Sequence, residues 1–134
     1  MRVVGIGLLG LACNGQSGEP CLDVDPACDP LYEPVFEAVF EQTLVSSCGL
    51  GATSCHSAEG AHAGLSFDDA DLAYELLLEE TSEGSLVVEG DASCSPLVAI
   101  LRSEDASTVM PPGDPLSEAE ICAIEQWIDA GAVR

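Results

Sequence analysis

Residues 110–131 read M-P-P-G-D-P-L-S-E-A-E-I-C-A-I-E-Q-W-I-D-A-G. The first part cannot be regular structure, because Pro111, Pro112 and Pro115 remove backbone donors and fix φ around Gly113. The second part is a complete helix signal. Ser117 followed three residues later by Glu120 is a capping box. Ile121, Ile124, Trp127 and Ile128 then recur at the spacing of one buried helical face, and Gly131 supplies the stop. A helix with its own start, stripe and stop, reached through a proline-rich loop, sets the expectation for the whole chain.

Working back from that helix, the same logic finds three more. Residues 103–116 are too rich in Pro and Gly for regular structure. Before them, Ser95-Pro96 opens a helix, with Ser95 as N-cap, Pro96 at the first position and Leu97, Val98, Ile100 and Leu101 behind. It is preceded by a short apolar piece, Leu86-Val87-Val88, and the turn Glu89-Gly90-Asp91. Residues 67–80 read as a helix with an acidic first turn, facing Leu72, Leu76 and Tyr74 or Leu77 inward, and fading at Thr81-Ser82-Glu83-Gly84. The segment 48–66 holds glycines 49, 51, 60 and 64 and both histidines, so it is loop-like. A first helix runs from near Pro34 to about Ser47, with Phe36, Val39, Phe40 and Leu44 on one face. The expected fold is all-α: a small bundle of about four helices with long irregular loops.

The N-terminus reads differently. Residues 1–13, M-R-V-V-G-I-G-L-L-G-L-A-C, carry one Arg, an apolar run and a small residue before Cys13, which is an export signal. The run is too short to span a bilayer as a helix. Its end, G-L-A-C, resembles the lipobox of bacterial lipoproteins, with Gly10 where Leu is usual; Cys13 is then the acylated residue. Residues 14–33 follow as a flexible tether and a Pro/Cys-rich cap, and 34–134 as the folded domain. The expected location is outside the cytoplasm, on a membrane-anchored lipoprotein facing the periplasm or cell surface.

Six cysteines remain after Cys13: Cys21, Cys28, Cys48, Cys55, Cys94 and Cys122. An even number in a small exported chain favours covalent cross-links. Cys21 and Cys28 bracket the proline-rich cap and can close it locally. That reading outweighs a calcium loop built on Asp23, Asp25 and Asp29, which lack EF-hand spacing. Cys94, before the third helix, and Cys122, inside the fourth, suggest a bridge pinning those helices.

Charge narrows the function classes. The 134 residues hold 24 acidic and 3 basic side chains, a formal net charge of −21. Too few cations are present to neutralise phosphates, so nucleic acid is excluded as a partner, and contact with a membrane falls to the lipid anchor. A protein partner would be basic. No nucleophile–base pair or phosphate-cradling loop is present, so the chain reads as a carrier or binding module and not as an enzyme.

One cluster carries chemistry. Residues 47–57, S-C-G-L-G-A-T-S-C-H-S, end in Cys55-His56, with Cys48 six residues before Cys55. Covalent haem attachment uses two thiols that add to the vinyl groups and a histidine beside the second thiol to ligate iron. The usual gap is two residues; here the longer G-L-G-A-T-S is small and glycine-rich enough to bulge. A sixth ligand is often a methionine thioether, and Met110 is the only methionine after Met1. A Cys48, Cys55, His56 and His62 zinc set is disfavoured, since adjacent Cys55 and His56 would not readily reach one tetrahedral ion.

Taken together, these pieces resemble the c-type cytochrome domains of exported bacterial proteins, often lipoproteins. The matching elements are Cys55-His56, Gly64-Leu65, Val88-Glu89-Gly90-Asp91 with Ser95-Pro96-Leu97, Met110-Pro111-Pro112, Leu116-Ser117 with Glu120, and Trp127-Ile128-Asp129-Ala130-Gly131-Ala132. They cover roughly residues 33–134. The resemblance implies a small cytochrome c-like bundle and one covalent haem c. Cys48 and Cys55 would form its thioethers, with His56 as the proximal and Met110 as the distal iron ligand, and the partner would be a redox protein. The Cys-x6-Cys-His spacing departs from the family pattern. A haem-free derivative on the same fold, with Cys48 and Cys55 joined as a disulfide, is the alternative: a disulfide-stapled interaction module.

Overall fold

A computed structural model describes residues 21–49, 55–57 and 62–134. The segment read as an export signal, Cys13 and the expected tether over 14–20 lie outside them. Among the described residues there is no strand, only an isolated bridge between Thr81 and Gly84. No described helix is long and apolar enough to cross a membrane. The architecture is all-α, as the periodicity predicts; the described residues form four helices, the first part α and part π, and a short 3-10 turn.

Helix α1 (Phe36–Val39) makes one α turn and continues as a π-helix (Phe40–Cys48). The wider winding is visible at its end, where the Gly49 N–H donates to the Leu44 carbonyl five residues back, at 2.8 Å. Phe36, Val39, Thr43 and Leu44 are buried, while Phe40 is half-buried. The Thr43 hydroxyl is satisfied by Tyr32 Oη at 2.5 Å.

Helix α2 (Ala70–Leu78) starts at Asp69, whose carboxylate accepts the Leu72 N–H at 2.9 Å. Its inward face is Ala73 and Leu77, both fully buried, with Leu72 43% exposed. The expected inward role of Leu72 is therefore corrected. Positions 73 and 77 share one face, a turn apart, and it is this stripe that packs inward, which turns position 72 away from the core.

Helix α3 (Pro96–Leu101) has Ser95 at its N-cap position and Pro96 in the first turn, but Ser95 makes no side-chain cap. Its hydroxyl instead accepts the Val88 N–H at 2.9 Å and donates to the Asp91 carbonyl at 2.8 Å. It thereby ties the preceding turn to the helix start.

Helix α4 (Glu118–Asp129) is built as its sequence dictates. Both halves of the Ser117–Glu120 capping box are present. Ile121, Ile124, Trp127 and Ile128 are at most 3% exposed. Gly131, at φ +104°, turns the chain back, and the last residues latch onto the core. Tyr74 Oη donates to the Ala132 carbonyl and Trp127 Nε1 to the Val133 carbonyl, both at 2.9 Å. Arg134 pairs with Asp71 and stacks over Phe36, 4.9 Å from the ring centroid. Phe36 packs against Trp127 with ring centroids 5.4 Å apart and meets Tyr74 edge-on at 5.1 Å. Burying a large apolar side chain contributes roughly 1.5–3 kcal/mol, so this aromatic contact is a principal link between α1 and α4.

The disulfides overturn the expected pairing. The bridges are Cys21–Cys94 and Cys28–Cys122, not Cys21–Cys28 and Cys94–Cys122. The proline-rich segment does not curl on itself but runs across the bundle. The Leu22 N–H donates to the Ser93 carbonyl at 3.0 Å, beside Cys94, and the Leu31 N–H to the Ala119 carbonyl at 2.9 Å. Gln126 Nε2 donates to the Cys28 carbonyl at 2.8 Å, one turn beyond Cys122. Each thiol meets the one beside which its own backbone is docked.

Candidate functional site

The chain returns to Cys48 after its six-residue excursion. The His56 N–H donates to the Cys48 carbonyl at 3.1 Å, and the His56 carbonyl accepts the Phe67 N–H at 2.6 Å. His56 is thus pinned on both sides, to the end of the π-helix and to the segment entering α2. Its ring lies 5.3 Å from the buried Phe67 ring. Cys48 and Cys55 are half-buried, and neither is in a disulfide. The disulfide between them that the alternative reading called for is absent.

Cys48 is held as a neutral thiol. Burial raises it, with the Glu120 carboxylate and Cys55 adding to the effect, from the ordinary 9.0 to about 11.

Cys48, Cys55, His56 and Met110 all line one cavity of about 670 Å³. That is within the roughly 300–1,000 Å³ of small-molecule and cofactor sites. Leu44, Phe67, Leu97, Ile100 and Ile124 are among its apolar walls, and Glu79 and Glu83 lie on its lining; no cation does. Met110 reaches the cavity from the loop after α3. Its N–H points back at the Ile100 carbonyl at 3.4 Å, beside the buried Val109. Its bond to Pro111 is cis. Met110 is 37% exposed, so it sits at the cavity's edge and not as core filler. The four residues singled out from sequence are therefore brought together. Cys21, Cys28, Cys94 and Cys122 line no part of this cavity.

The residues fit a c-type haem by their chemistry: two thiols for covalent attachment, an imidazole and a thioether for iron, and an apolar enclosure. Among the described residues no group of three or more His, Cys, Asp or Glu side chains is arranged to hold a bare metal ion. The backbone of His62 opens a short 3-10 turn, His62–Gly64, that passes beside the cavity through Ala63 and Gly64.

One buried charge was not marked by the sequence reading. Glu125, on α4 next to the cavity-lining Ile124, is 2% exposed. It is held by Arg102, whose Nη2 donates to Glu125 Oε2 at 3.0 Å while Nε donates to Oε1. The available signal was an acid between Ile121 and Ile128 on the apolar stripe, in a chain with only 3 basic residues to pair it.

A family model described as Planctomycete cytochrome C matches residues 53–114. The matched stretch contains Cys55, His56 and Met110 and supports a cytochrome c-like domain; Cys48 lies just before it. No curated protein and no solved structure matches the chain.

Proposed function

We propose that this cytochrome c-like chain is an exported electron carrier holding one covalent haem c. Cys48 and Cys55 would form its thioethers, and His56 and Met110 would hold its iron. The observation that carries this reading is the convergence of these four residues, from both ends of the fold, on one apolar cavity. When bound, the haem supplies an iron that changes oxidation state by one electron. The chain's own residues do the rest. Phe67 and the Cys48 carbonyl fix His56 from two sides. The leucine and isoleucine walls keep water from the site, which together with a thioether ligand favours a higher potential. His56 and Met110 would together hold the iron, a set of residues suited to carrying electrons and not to binding a substrate, so the reading is of a carrier and not an enzyme. Both described arginines are taken up in internal ion pairs, leaving an acidic surface for a basic redox partner. Acylation of Cys13 would tether the domain to a membrane facing the periplasm or cell surface.

The test is periplasmic expression of the full chain. A Soret band that remains with the denatured polypeptide supports covalent haem, and Met110→Ala then changes the spectrum of the ferric protein. A colourless, folded protein overturns the reading. It would favour the second reading, a haem-free interaction module, for which the two disulfides Cys21–Cys94 and Cys28–Cys122 already provide staples.

A further inference from the structure

Arg102 stands where α3 ends and the Met110 loop begins. Its guanidinium is held by two carboxylates of the next helix, the exposed Glu118 at its start and the buried Glu125 further along. Glu125, with a side chain only 3% exposed, takes Nε and Nη2 as a bidentate fork. Glu118 takes Nη1 at 2.9 Å. Glu118 is the first residue of α4, where the loop ends. One side chain therefore joins the start of the Met110 loop to its finish and anchors both on a buried carboxylate.

We propose that Arg102 and Glu125 form a positioning pair that holds the Met110 loop against the cavity. The role in ligation rests on the function proposed above; the role in holding the loop does not. The loop has few other restraints. Val109 and Leu116 are its buried residues, and between them and α3 the Thr108 and Val109 N–H groups donate locally, to the Asp105 carbonyl, each at 2.9 Å. Its inward tie is the long Met110 N–H to Ile100 contact at 3.4 Å. A buried ion pair is a poor stabiliser compared with apolar residues of the same volume, but its fork fixes direction as apolar packing does not. Lysine keeps the charge and loses the fork.

The experiment is amide hydrogen exchange on the full chain as purified, comparing wild type with Arg102→Lys and with the double change Arg102→Met/Glu125→Leu. The double change leaves no unpaired buried charge and is expected to fold even where the single one does not. In both variants the amides of Val109 and Met110 should exchange roughly tenfold or more faster, while those of Trp127 and Ile128 stay unchanged. Unchanged exchange at Met110, or an equal loss along α4, overturns the proposal. Where haem is attached, added imidazole should also displace Met110 from the ferric protein at roughly tenfold lower concentration in both variants. An unchanged imidazole titration overturns the ligand-positioning role. A protein without haem defeats the electron-carrier reading, while the exchange result still decides whether Arg102 holds the loop.

Discussion

The His56 N–H and the Cys48 carbonyl meet at 3.1 Å, although the cysteines flanking the insertion are separated by six residues. Both thiols line the same cavity. If both bond to haem, Cys48→Ala and Cys55→Ala should each retain haem after denaturation through the remaining thioether, and the double variant should lose it. The pyridine haemochrome spectrum should shift in each single variant. A Cys48→Ala spectrum identical to wild type would show that Cys48 makes no bond to the haem.

Protein prepared without haem should reveal Cys48 by its pH response. Burial raises its thiol from 9.0 to about 11, so the unfolded chain loses this proton first. The stability contribution is whole below pH 9.0 and is lost as pH rises through about 11. Thermal unfolding should thus fall more steeply over this window in wild type than in Cys48→Ala. Iodoacetamide should modify Cys48 slowly near neutral pH and faster as the window is crossed.

The two disulfides close long loops, with sequence separations of 73 and 94 residues. Replacing Cys28 and Cys122 together by serine should cost about 2–4 kcal/mol in denaturant unfolding. Because neither bridge borders the cavity, any haem spectrum should stay as in wild type while the midpoint drops.

Ser95 is 1% exposed, and its hydroxyl bridges the Val88 N–H and the Asp91 carbonyl. Ser95→Ala removes that buried hydroxyl and both of its bonds, so it should cost about 1–3 kcal/mol. An ordinary N-cap loss would sit nearer ~1 kcal/mol. Faster exchange at the Val88 amide would locate the effect in the turn and not in the first turn of α3.

Local signals were legible because each is complete within a few residues. The Ser117–Glu120 box, the Ile121–Ile128 stripe and the Gly131 stop all appear where the sequence places them. Ser95 was only half legible: its position at the start of α3 follows from Pro96, but its partners depend on how the Val88–Asp91 turn folds back. Leu72 was misread because Leu72 with Leu76 and Ala73 with Leu77 are neighbouring stripes of the same spacing, and only packing against the core selects the second.

By itself the sequence determined the helical class, the acidic surface and the identity of the four residues around the cavity. Tertiary structure alone decided which residues meet. Cys28 pairs with Cys122 because the cap crosses α4 and docks through Gln126. Glu125 can be buried as a paired charge because Arg102 arrives from another helix. Cys48 and Cys55 share one cavity because the His56 N–H is tied back to the Cys48 carbonyl. The physical reason is range. Caps, stripes and stops act across one or two turns, whereas a disulfide, an ion pair or a shared cavity depends on the packing of segments far apart in the chain.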